Sequence, residues 1–176
     1  MKQIDWLFFD IGSTLVNEEK AYQDRIEQAI ADTHISYAAF YQTMIHYFME
    51  NKKGDVEALK YYGLKCPSWK SDLETLYPGC KHVLKTLHAH YKIGILANQL
   101  PNLLARLRNF GIDSYIDLII SSADVGLAKP NLAIFKLALQ QANCSAEHAV
   151  MIGDRLDNDI LPAKQLGMRT IWIRQF

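Results

Sequence analysis

Residues 6–15 read Trp-Leu-Phe-Phe-Asp-Ile-Gly-Ser-Thr-Leu, an apolar run that ends in a carboxylate. The four apolar residues before Asp10 predict a buried β-strand. The small and polar residues that follow, up to Thr14, predict a tight loop. A carboxylate directly after a buried strand lies where α/β sheets bind ligands, so the rest of the chain must show whether such a sheet follows.

Beyond residue 80 the sequence alternates between helical and extended patterns. Two segments, 116–120 and 149–152, are nearly continuous apolar runs, as expected of parallel strands covered on both faces. With the first strand, this alternation predicts an α/β fold: a doubly wound (Rossmann-like), mostly parallel five-stranded sheet. The predicted helices are 81–89, 102–110, 132–143 and 159–166, and the predicted strands are 92–97, 115–120, 149–152 and 170–173.

A helical insertion follows the first strand. Apolar and aromatic residues recur at helical spacing for some sixty residues after Phe9. Ser36 is a plausible N-cap for the second helix, and Gly54-Asp55 marks the start of a third. We therefore predict a helical unit over 16–77.

Composition limits the classes of function. The 176 residues, 49% of them hydrophobic, suffice for one sizeable core and a small accessory unit. Nineteen basic residues balance nineteen acidic ones, so no overall field attracts nucleic acid or an anionic membrane. We expect a small-molecule or protein partner and no nucleic acid. The oligomeric state is left open.

The cysteines and the hydropathy of the chain indicate its compartment. Cys66, Cys80 and Cys144 are odd in number and lack metal-ligand spacing, which favours free thiols in a reducing compartment. The apolar start ends at Asp10, too early for a signal peptide, and no apolar run reaches membrane-spanning length. We predict a cytoplasmic protein that does not insert into a membrane.

Polar residues follow four of the predicted strands. Asp10 follows the first strand, Asn98 the second and Gly153-Asp154 the fourth, and Lys129 lies a short loop beyond the third. In doubly wound sheets, ligands bind beyond the carboxyl ends of the strands, where the strand order reverses. The sequence therefore predicts that these side chains converge on one ligand site.

The motifs at these strand ends resemble those of the haloacid dehalogenase-like (HAD) superfamily, which consists mostly of aspartate-nucleophile phosphohydrolases. The resemblance covers nearly the whole chain. It implies that the helical unit 16–77 is a small cap that closes over the active site, and that 1–15 and 78–176 form the hydrolase core. The matching segments are 8–15, 93–98, 126–130 and 152–160.

The resemblance also implies a nucleophile and a metal site. Asp10 is then the nucleophile that forms an aspartyl-phosphate, and Lys129 supplies positive charge to it and to the phosphoryl group. Asp10 and Asp154 on adjacent strand ends repel each other unless a cation lies between them. The resemblance implies that this cation is Mg²⁺, which binds carboxylate oxygens. The implied magnesium ligands are Asp10, Asp154, Asp159 and the backbone carbonyl of Gly12.

A small phosphorylated substrate is the implied ligand. The side chains predicted to contact its phosphate are those of Asn98, Lys129, Ser13 and Thr14. For Ser13 and Thr14 a purely local role remains open, because both side chains can bond to nearby backbone groups.

The chain departs from the family pattern at two positions. The aspartate that usually stands two residues after the nucleophile, where it acts as general acid and base, is Gly12 here. A positioned acid of this kind contributes about 10²- to 10⁴-fold in rate. The hydroxyl residue that usually contacts the phosphoryl group is Ala97, for which Asn98 partly compensates.

Three interpretations follow. The chain is a Mg²⁺-dependent phosphohydrolase for substrates with a good leaving group, or a catalytically weak relative that binds a phosphorylated ligand or a protein, or a 2-haloacid dehalogenase. Dehalogenases also lack the acid, but they need no metal and carry a Ser-Asn element in place of Gly153-Asp154. Retention of Asp10, Lys129, Asp154 and Asp159 favours the phosphohydrolase.

Overall fold

The computed structural model describes residues 3–99 and 101–174. They divide into two compact units. The helical unit is Asn17–Thr75, and the core unit contains the described residues up to Val16 and from Leu76 onward. None of the described helices is both long and apolar enough to span a bilayer.

The elements follow the predicted order. In chain order they are β1 (Trp6–Phe9), β2 (Val16–Asn17), α1 (Glu19–Ile30), α2 (Tyr37–Met49), α3 (Gly54–Tyr61), β3 (Thr75–Leu76), α4 (Cys80–His88), β4 (Lys92–Ala97), α5 (Leu103–Phe110), β5 (Leu118–Ser121), α6 (Ser122–Val125), α7 (Leu132–Gln141), β6 (Ala149–Gly153), α8 (Leu161–Gln165) and β7 (Arg169–Trp172). Short 3₁₀ helices are Ser71–Leu73, Asp113–Tyr115 and Ala146–His148, and a π-helix is Leu156–Ile160.

Five strands of the core unit form one sheet in the order β5-β4-β1-β6-β7, and all four pairings are parallel. This confirms the predicted α/β fold. The chain moves outward from β1 to β4 and β5 on one side, and it then builds β6 and β7 on the other. The strand order therefore reverses at β1, so Asp10 stands at the switch point where such sheets bind ligands. Strands β2 and β3 pair with each other.

Both faces of the sheet are buried. Along β1 the side chains alternate, so Leu7 and Phe9 join one apolar cluster while Phe8 joins another. Each cluster also contains side chains of the helices that cover that face, such as Leu84 on one side and Phe135 on the other. Burial on both faces explains why these strands are almost continuously apolar in sequence.

The third strand of the sequence prediction begins later than expected. We predicted a strand over 115–120, whereas β5 is Leu118–Ser121 and Asp113–Tyr115 is a 3₁₀ helix. The physical reason is Asp117, whose carboxylate accepts a hydrogen bond from the backbone N–H of Ile93 at 2.9 Å. The side chain thus occupies the Ile93 N–H that a backbone carbonyl of an earlier start of β5 would need. The backbone bonds between the two segments begin with the Asp117 N–H, which donates to the Ile93 carbonyl at 2.7 Å.

The helical unit has a core of its own. Ser36 caps α2, because its hydroxyl accepts a hydrogen bond from the Ala39 N–H at 3.2 Å, which confirms the predicted N-cap. Helix α3 begins at Gly54, where a Cβ would overlap the Met44 carbonyl and the Phe48 ring. Glycine thus permits α2 and α3 to touch. The fully buried side chains of this core are Ile26, Phe40, Met44, Ala58 and Leu59.

We expect the Gly94→Ala substitution to destabilise the core unit. Gly94 of β4 pairs with Phe8 of β1, and a Cβ at position 94 would lie 2.6 Å from two carbons of the Phe8 ring. Phe8 cannot move away easily, because its ring is fully buried and stacks on Trp6 at a centroid distance of 5.5 Å. The expected loss in free energy of unfolding is about 1–3 kcal/mol, measured by urea denaturation.

A double-mutant cycle controls for other effects of the added methyl group. Phe8→Leu removes the ring carbons that the new Cβ would meet, so the double variant should lose less stability than the two single losses together. Additive losses, within about 0.5 kcal/mol, would contradict the proposed clash.

Candidate active site

Three carboxylates meet at the carboxyl ends of the neighbouring strands β1 and β6. Asp10 follows β1, Asp154 follows β6, and Asp159 lies in the π-helix that comes next. One carboxylate oxygen of each residue lies within 4.8 Å of the other two. The fold thus brings together three of the residues that the sequence analysis singled out.

Lys129 lies in the same cluster. Its side chain is almost fully buried, and its Nζ donates hydrogen bonds to Asp10 Oδ1 at 2.6 Å and to Asp159 Oδ1 at 2.5 Å. Burial alone would lower the pKa of Lys129, but the charges of the two carboxylates outweigh burial and raise the pKa. Lys129 therefore stays an ammonium ion and links Asp10 to Asp159.

Asn98 holds the backbone of Lys129. The Asn98 side-chain amide donates to the Lys129 carbonyl at 2.8 Å, and its Oδ1 accepts from the Lys129 N–H at 2.8 Å. These two bonds join the end of β4 to the loop that carries Lys129. The Asn98 amide nitrogen has a second N–H that does not bond to Lys129. The predicted contact between Asn98 and a phosphate therefore stays a prediction.

The last predicted helix begins in a wider turn than expected. We predicted a helix over 159–166, whereas a π-helix, Leu156–Ile160, precedes α8. The Arg155 carbonyl accepts from the N–H groups of both Asp159 and Ile160, and Asp159 Oδ2 accepts from the Arg155 N–H at 3.0 Å. Such π-turns are frequent at functional sites, and here the turn directs Asp159 back toward Asp10.

Gly153 is required by this arrangement. A Cβ at position 153 would overlap the carboxylate of Asp159. Any larger residue at the end of β6 would therefore displace Asp159 from the cluster.

In the loop after β1, backbone N–H groups bond to carbonyl groups of the same loop. The N–H of Ser13 donates to the Val16 carbonyl, and the N–H of Thr14 donates to the Ile11 carbonyl. Ser13 has φ 54°, a left-handed conformation that costs about 1–2 kcal/mol for a residue with a side chain. Phosphate contacts from Ser13 and Thr14 would therefore come from their hydroxyl groups, and the described residues offer Thr14 Oγ1 no hydrogen-bond partner. Gly12 is half-buried in this loop.

Ala97 has a neighbouring hydroxyl group that sequence patterns do not reveal. Ala97 is fully buried at the end of β4 and lies beside Ser121 in the register of β5. Ser121 is 1% exposed, and its hydroxyl has no hydrogen-bond partner within the described part of the chain. A buried hydroxyl therefore stands next to the position where the family pattern has one. Only the strand register reveals it, since the two residues are far apart in sequence.

Comparison with known proteins identifies the family. A sequence model of the haloacid dehalogenase-like hydrolases matches residues 4–167. The chain belongs to this family. The hydrolase is 28% identical over 195 residues to the pyrimidine 5′-nucleotidase YjjG of Escherichia coli, with 96% of this chain and 85% of the relative covered. It is 30% identical over 191 residues to the glyceraldehyde 3-phosphate phosphatase of Pyrococcus abyssi, with coverages of 96% and 80%.

A solved structure shows the same fold. The putative HAD-hydrolase YfnB from Bacillus subtilis, determined bound to magnesium, superposes on this hydrolase with a TM-score of 0.73. The match covers 98% of this chain and 89% of YfnB at 22% identity.

The electrostatics of the cluster favour a bound cation. Burial, reinforced by the charges of Asp10 and Asp159, raises the pKa of Asp154 to about 7. Burial also raises the pKa of Asp159, although Lys129 acts in the opposite direction. One ammonium group faces three carboxylates, so the ionised cluster carries an excess of two negative charges. Carboxylate oxygens at this spacing are the ligands that hard divalent cations prefer, and the residues therefore fit such an ion.

In metal-free buffer, we expect the Asp154→Asn variant of the hydrolase to be more stable than the wild type, and the difference to grow with pH. The pKa of Asp154 in the folded chain, about 7, lies above its ordinary value of about 3.9. The stability that this group contributes is therefore fully present below about pH 4 and is lost as the pH rises through about 7. The difference should increase by about 1–3 kcal/mol between about pH 5 and pH 8, measured by urea unfolding with EDTA.

Asp117→Asn is a control of opposite sign. Burial acts to raise the pKa of Asp117, but the hydrogen bonds from Lys92 and from the Ile93 N–H outweigh it and lower the pKa. Its ionised form therefore stabilises the folded chain, a contribution that is fully present above about pH 4 and is lost as the pH falls further. The variant should therefore be less stable than the wild type by a constant amount between about pH 5 and pH 8, the range in which the Asp154→Asn difference grows. A stability difference for Asp154→Asn that does not depend on pH would contradict the expected ionisation.

Proposed function

We propose that this hydrolase is a Mg²⁺-dependent phosphohydrolase that acts on a small phosphorylated metabolite, with Asp10 as nucleophile. The observation that carries the proposal is the buried Lys129 ammonium bonded to both Asp10 and Asp159. It leaves an excess of negative charge for a divalent cation while it supplies positive charge beside the nucleophile. The names of the two curated relatives, a nucleotidase and a phosphatase, support the same substrate class.

In the proposed reaction, a carboxylate oxygen of Asp10 attacks the phosphorus atom. A P–O bond forms while the bond to the leaving oxygen breaks, and the leaving group departs with the electron pair. Water then attacks the phosphorus of the aspartyl-phosphate, which releases inorganic phosphate and regenerates Asp10. The enzyme thus replaces one difficult displacement by two easier ones.

Lys129 stabilises charge during this reaction. Its Nζ lies 2.6 Å from Asp10 Oδ1, close enough to orient the nucleophile and to reach the phosphoryl oxygens that approach it. Loss of a preorganised group of this kind typically costs about 10²- to 10³-fold in rate. Asn98 positions Lys129 through the backbone contacts described above.

The residues that would hold Mg²⁺ are Asp10, Asp154, Asp159 and the backbone carbonyl of Gly12. When bound, the ion neutralises charge on the phosphoryl oxygens as a Lewis acid. Among the described residues, no ammonium group forms an ion pair with Asp154, and burial together with the charges of Asp10 and Asp159 raises its pKa.

The substrate phosphate is proposed to contact the hydroxyl groups of Ser13 and Thr14 and the amide of Asn98. The buried hydroxyl of Thr14 supports this role, because a buried polar atom without a partner costs free energy that a ligand would recover. We further propose that the helical unit Asn17–Thr75 is the cap that selects the substrate.

Gly12 restricts the leaving group. With glycine in this position, the side chain that would protonate the departing oxygen is missing. Substrates whose leaving group is stable as an anion, such as aryl or acyl phosphates, need no such proton. We therefore propose that the hydrolase prefers them to alkyl phosphates.

The two alternatives rest on the same departures from the family pattern. Gly12 and Ala97 together support a catalytically weak relative that binds a phosphorylated ligand or a protein. A 2-haloacid dehalogenase would need neither the acid nor the metal, but the three converging carboxylates speak against it. The phosphohydrolase accounts for all four retained polar residues.

A cytoplasmic site of action is also proposed. Cys66, Cys80 and Cys144 are free thiols. Burial raises the pKa of Cys80 to about 11, so its thiol stays protonated and unreactive. Thiols of this kind are typical of a reducing compartment.

Hydrolysis of p-nitrophenyl phosphate tests the proposed function. We expect turnover with Mg²⁺, loss of turnover with EDTA, and much weaker activity on alkyl phosphates such as glycerol phosphate. No turnover with either Mg²⁺ or Mn²⁺ would exclude the phosphatase. Metal-independent release of halide from a 2-haloacid would establish the dehalogenase instead.

A further inference from the structure

Trp172, at the end of the edge strand β7, contacts the backbone of Asp154. Its indole Nε1–H donates a hydrogen bond to the Asp154 carbonyl at 2.8 Å. Trp172 is 44% exposed, so burial in the core does not explain a tryptophan here. The Arg174 guanidinium also lies over the ring, 5.9 Å from its centroid. The hydrogen bond to Asp154 is thus the directional polar contact of this side chain within the described part of the core unit.

The peptide group between Asp154 and Arg155 is held at both of its polar atoms. Trp172 binds its carbonyl oxygen, and the Asp159 carboxylate accepts from its N–H at 3.0 Å. The preceding peptide group is held as well, because the Ile173 N–H donates to the Gly153 carbonyl at 2.9 Å. With the peptide groups on both sides of its Cα held, the Asp154 backbone has little freedom to rotate, and the direction of its Cα–Cβ bond is set.

Such restraint is needed at this position. The Asp154 carboxylate has an oxygen within 4.8 Å of oxygens of Asp10 and Asp159, whose charges repel it. Without a cation, repulsion favours a rotation of the Asp154 backbone that carries the side chain away from the cluster. A hydrogen bond from a rigid side chain on a neighbouring strand opposes that rotation and keeps the carboxylate in place before a metal arrives.

We propose that Trp172 is a positioning residue for the metal site, which preorganises Asp154 through the indole hydrogen bond. The inference rests on the proposed function, since it assigns a metal-ligand role to Asp154. As a positioning residue, Trp172 contacts neither the substrate nor the metal. Its effect should therefore appear in the affinity for Mg²⁺ and not in the rate at saturating Mg²⁺.

The test compares Trp172→Phe with Trp6→Phe in the full chain. Trp172→Phe keeps an aromatic ring and removes the N–H donor, and Trp6→Phe is the same change at the opposite end of the sheet. We expect Trp172→Phe to raise the dissociation constant for Mg²⁺, titrated as MgCl₂ by calorimetry, about three- to tenfold, the effect of one neutral hydrogen bond. Trp6→Phe should leave the constant unchanged.

Activity supplies a second readout. For Trp172→Phe, the Mg²⁺ concentration for half-maximal hydrolysis of p-nitrophenyl phosphate should rise by the same factor, and kcat at saturating Mg²⁺ should match the wild type. A dissociation constant within twofold of the wild type, or an equal change in Trp6→Phe, overturns the inference while the proposed function stands. If the wild type binds no Mg²⁺ at all, the inference and the metal of the proposed function both fail.

A measurement on the wild-type protein avoids the risk that a variant fails to fold. The indole N–H signals of Trp6, Trp69 and Trp172 are resolvable by ¹⁵N NMR and assignable through Trp6→Phe and Trp69→Phe. The Trp172 N–H should exchange slowly with solvent although its ring is exposed, and its signal should shift on addition of Mg²⁺. Rapid exchange without a shift overturns the inference.

Discussion

Asp10→Asn is expected to lower kcat for p-nitrophenyl phosphate by at least about 10³-fold, the largest loss of activity that we predict. An asparagine amide has no carboxylate oxygen that can attack phosphorus, so the aspartyl-phosphate cannot form. The amide has nearly the same size as the carboxylate, so the substitution should not change the packing around position 10. Steady-state kinetics with saturating Mg²⁺ measures the effect.

The loss of activity should not come from unfolding. Lys129 retains Asp159 as an ion-pair partner in the variant, with Nζ and Oδ1 at 2.5 Å. The substitution also removes one of the charges that raise the pKa of Asp154. We therefore expect the metal-free variant to be at least as stable as the wild type in thermal or urea unfolding.

Asp5→Asn serves as the matched control. Asp5 lies before β1, at the opposite end of the strand from Asp10, where its carboxylate contacts His148. Its substitution should leave kcat within about twofold of the wild type, as for a surface change away from the site. If Asp10→Asn retained a tenth or more of the wild-type kcat, Asp10 would not be the nucleophile.

Gly12→Asp is expected to raise kcat/KM for alkyl phosphates such as glycerol phosphate by about 10²- to 10⁴-fold. The new carboxyl group would stand where the family pattern has its general acid, and it would protonate an alkoxide leaving group that otherwise departs unaided. For p-nitrophenyl phosphate the gain should be small, because nitrophenolate needs no proton. The ratio of the two rates, measured on one enzyme preparation, isolates the acid effect.

Gly12→Asn separates chemistry from crowding. Asparagine has the size of aspartate but cannot donate a carboxyl proton. If crowding in the half-buried loop decides the outcome, both variants should lose activity equally on both substrates. If Gly12→Asp and Gly12→Asn hydrolysed glycerol phosphate at equal rates, the absence of a general acid at position 12 would not be what limits activity on alkyl phosphates.

The order of elements was predictable because it depends on local patterns. Apolar runs such as Ala149–Gly153 belong to strands buried on both faces, and helical spacing marks the helices that cover them. The boundary errors arose where distant residues intervene. Asp117 bonds to Ile93, which shortens the start of β5, and Arg155 accepts two hydrogen bonds, which widens the turn before α8.

For the candidate site, too, sequence patterns identified the residues but not the contacts between them. Motifs at strand ends singled out Asp10, Lys129, Asp154 and Asp159, and the fold brings these four together. The contacts that hold them were not predictable. Periodicity and composition contain no information on which side chain of another strand reaches a given carbonyl.

By itself, the sequence determined the α/β class, the insertion after β1, and which polar residues follow which strand. It did so because secondary structure and strand ends follow from the spacing of residues close together in the chain. Only the tertiary structure decided that Asn98 clamps the backbone of Lys129, that Ser121 lies beside Ala97, and that Trp172 binds the Asp154 carbonyl. Those contacts join residues that are distant in sequence, and they exist only after strand order and register have set the distances between them.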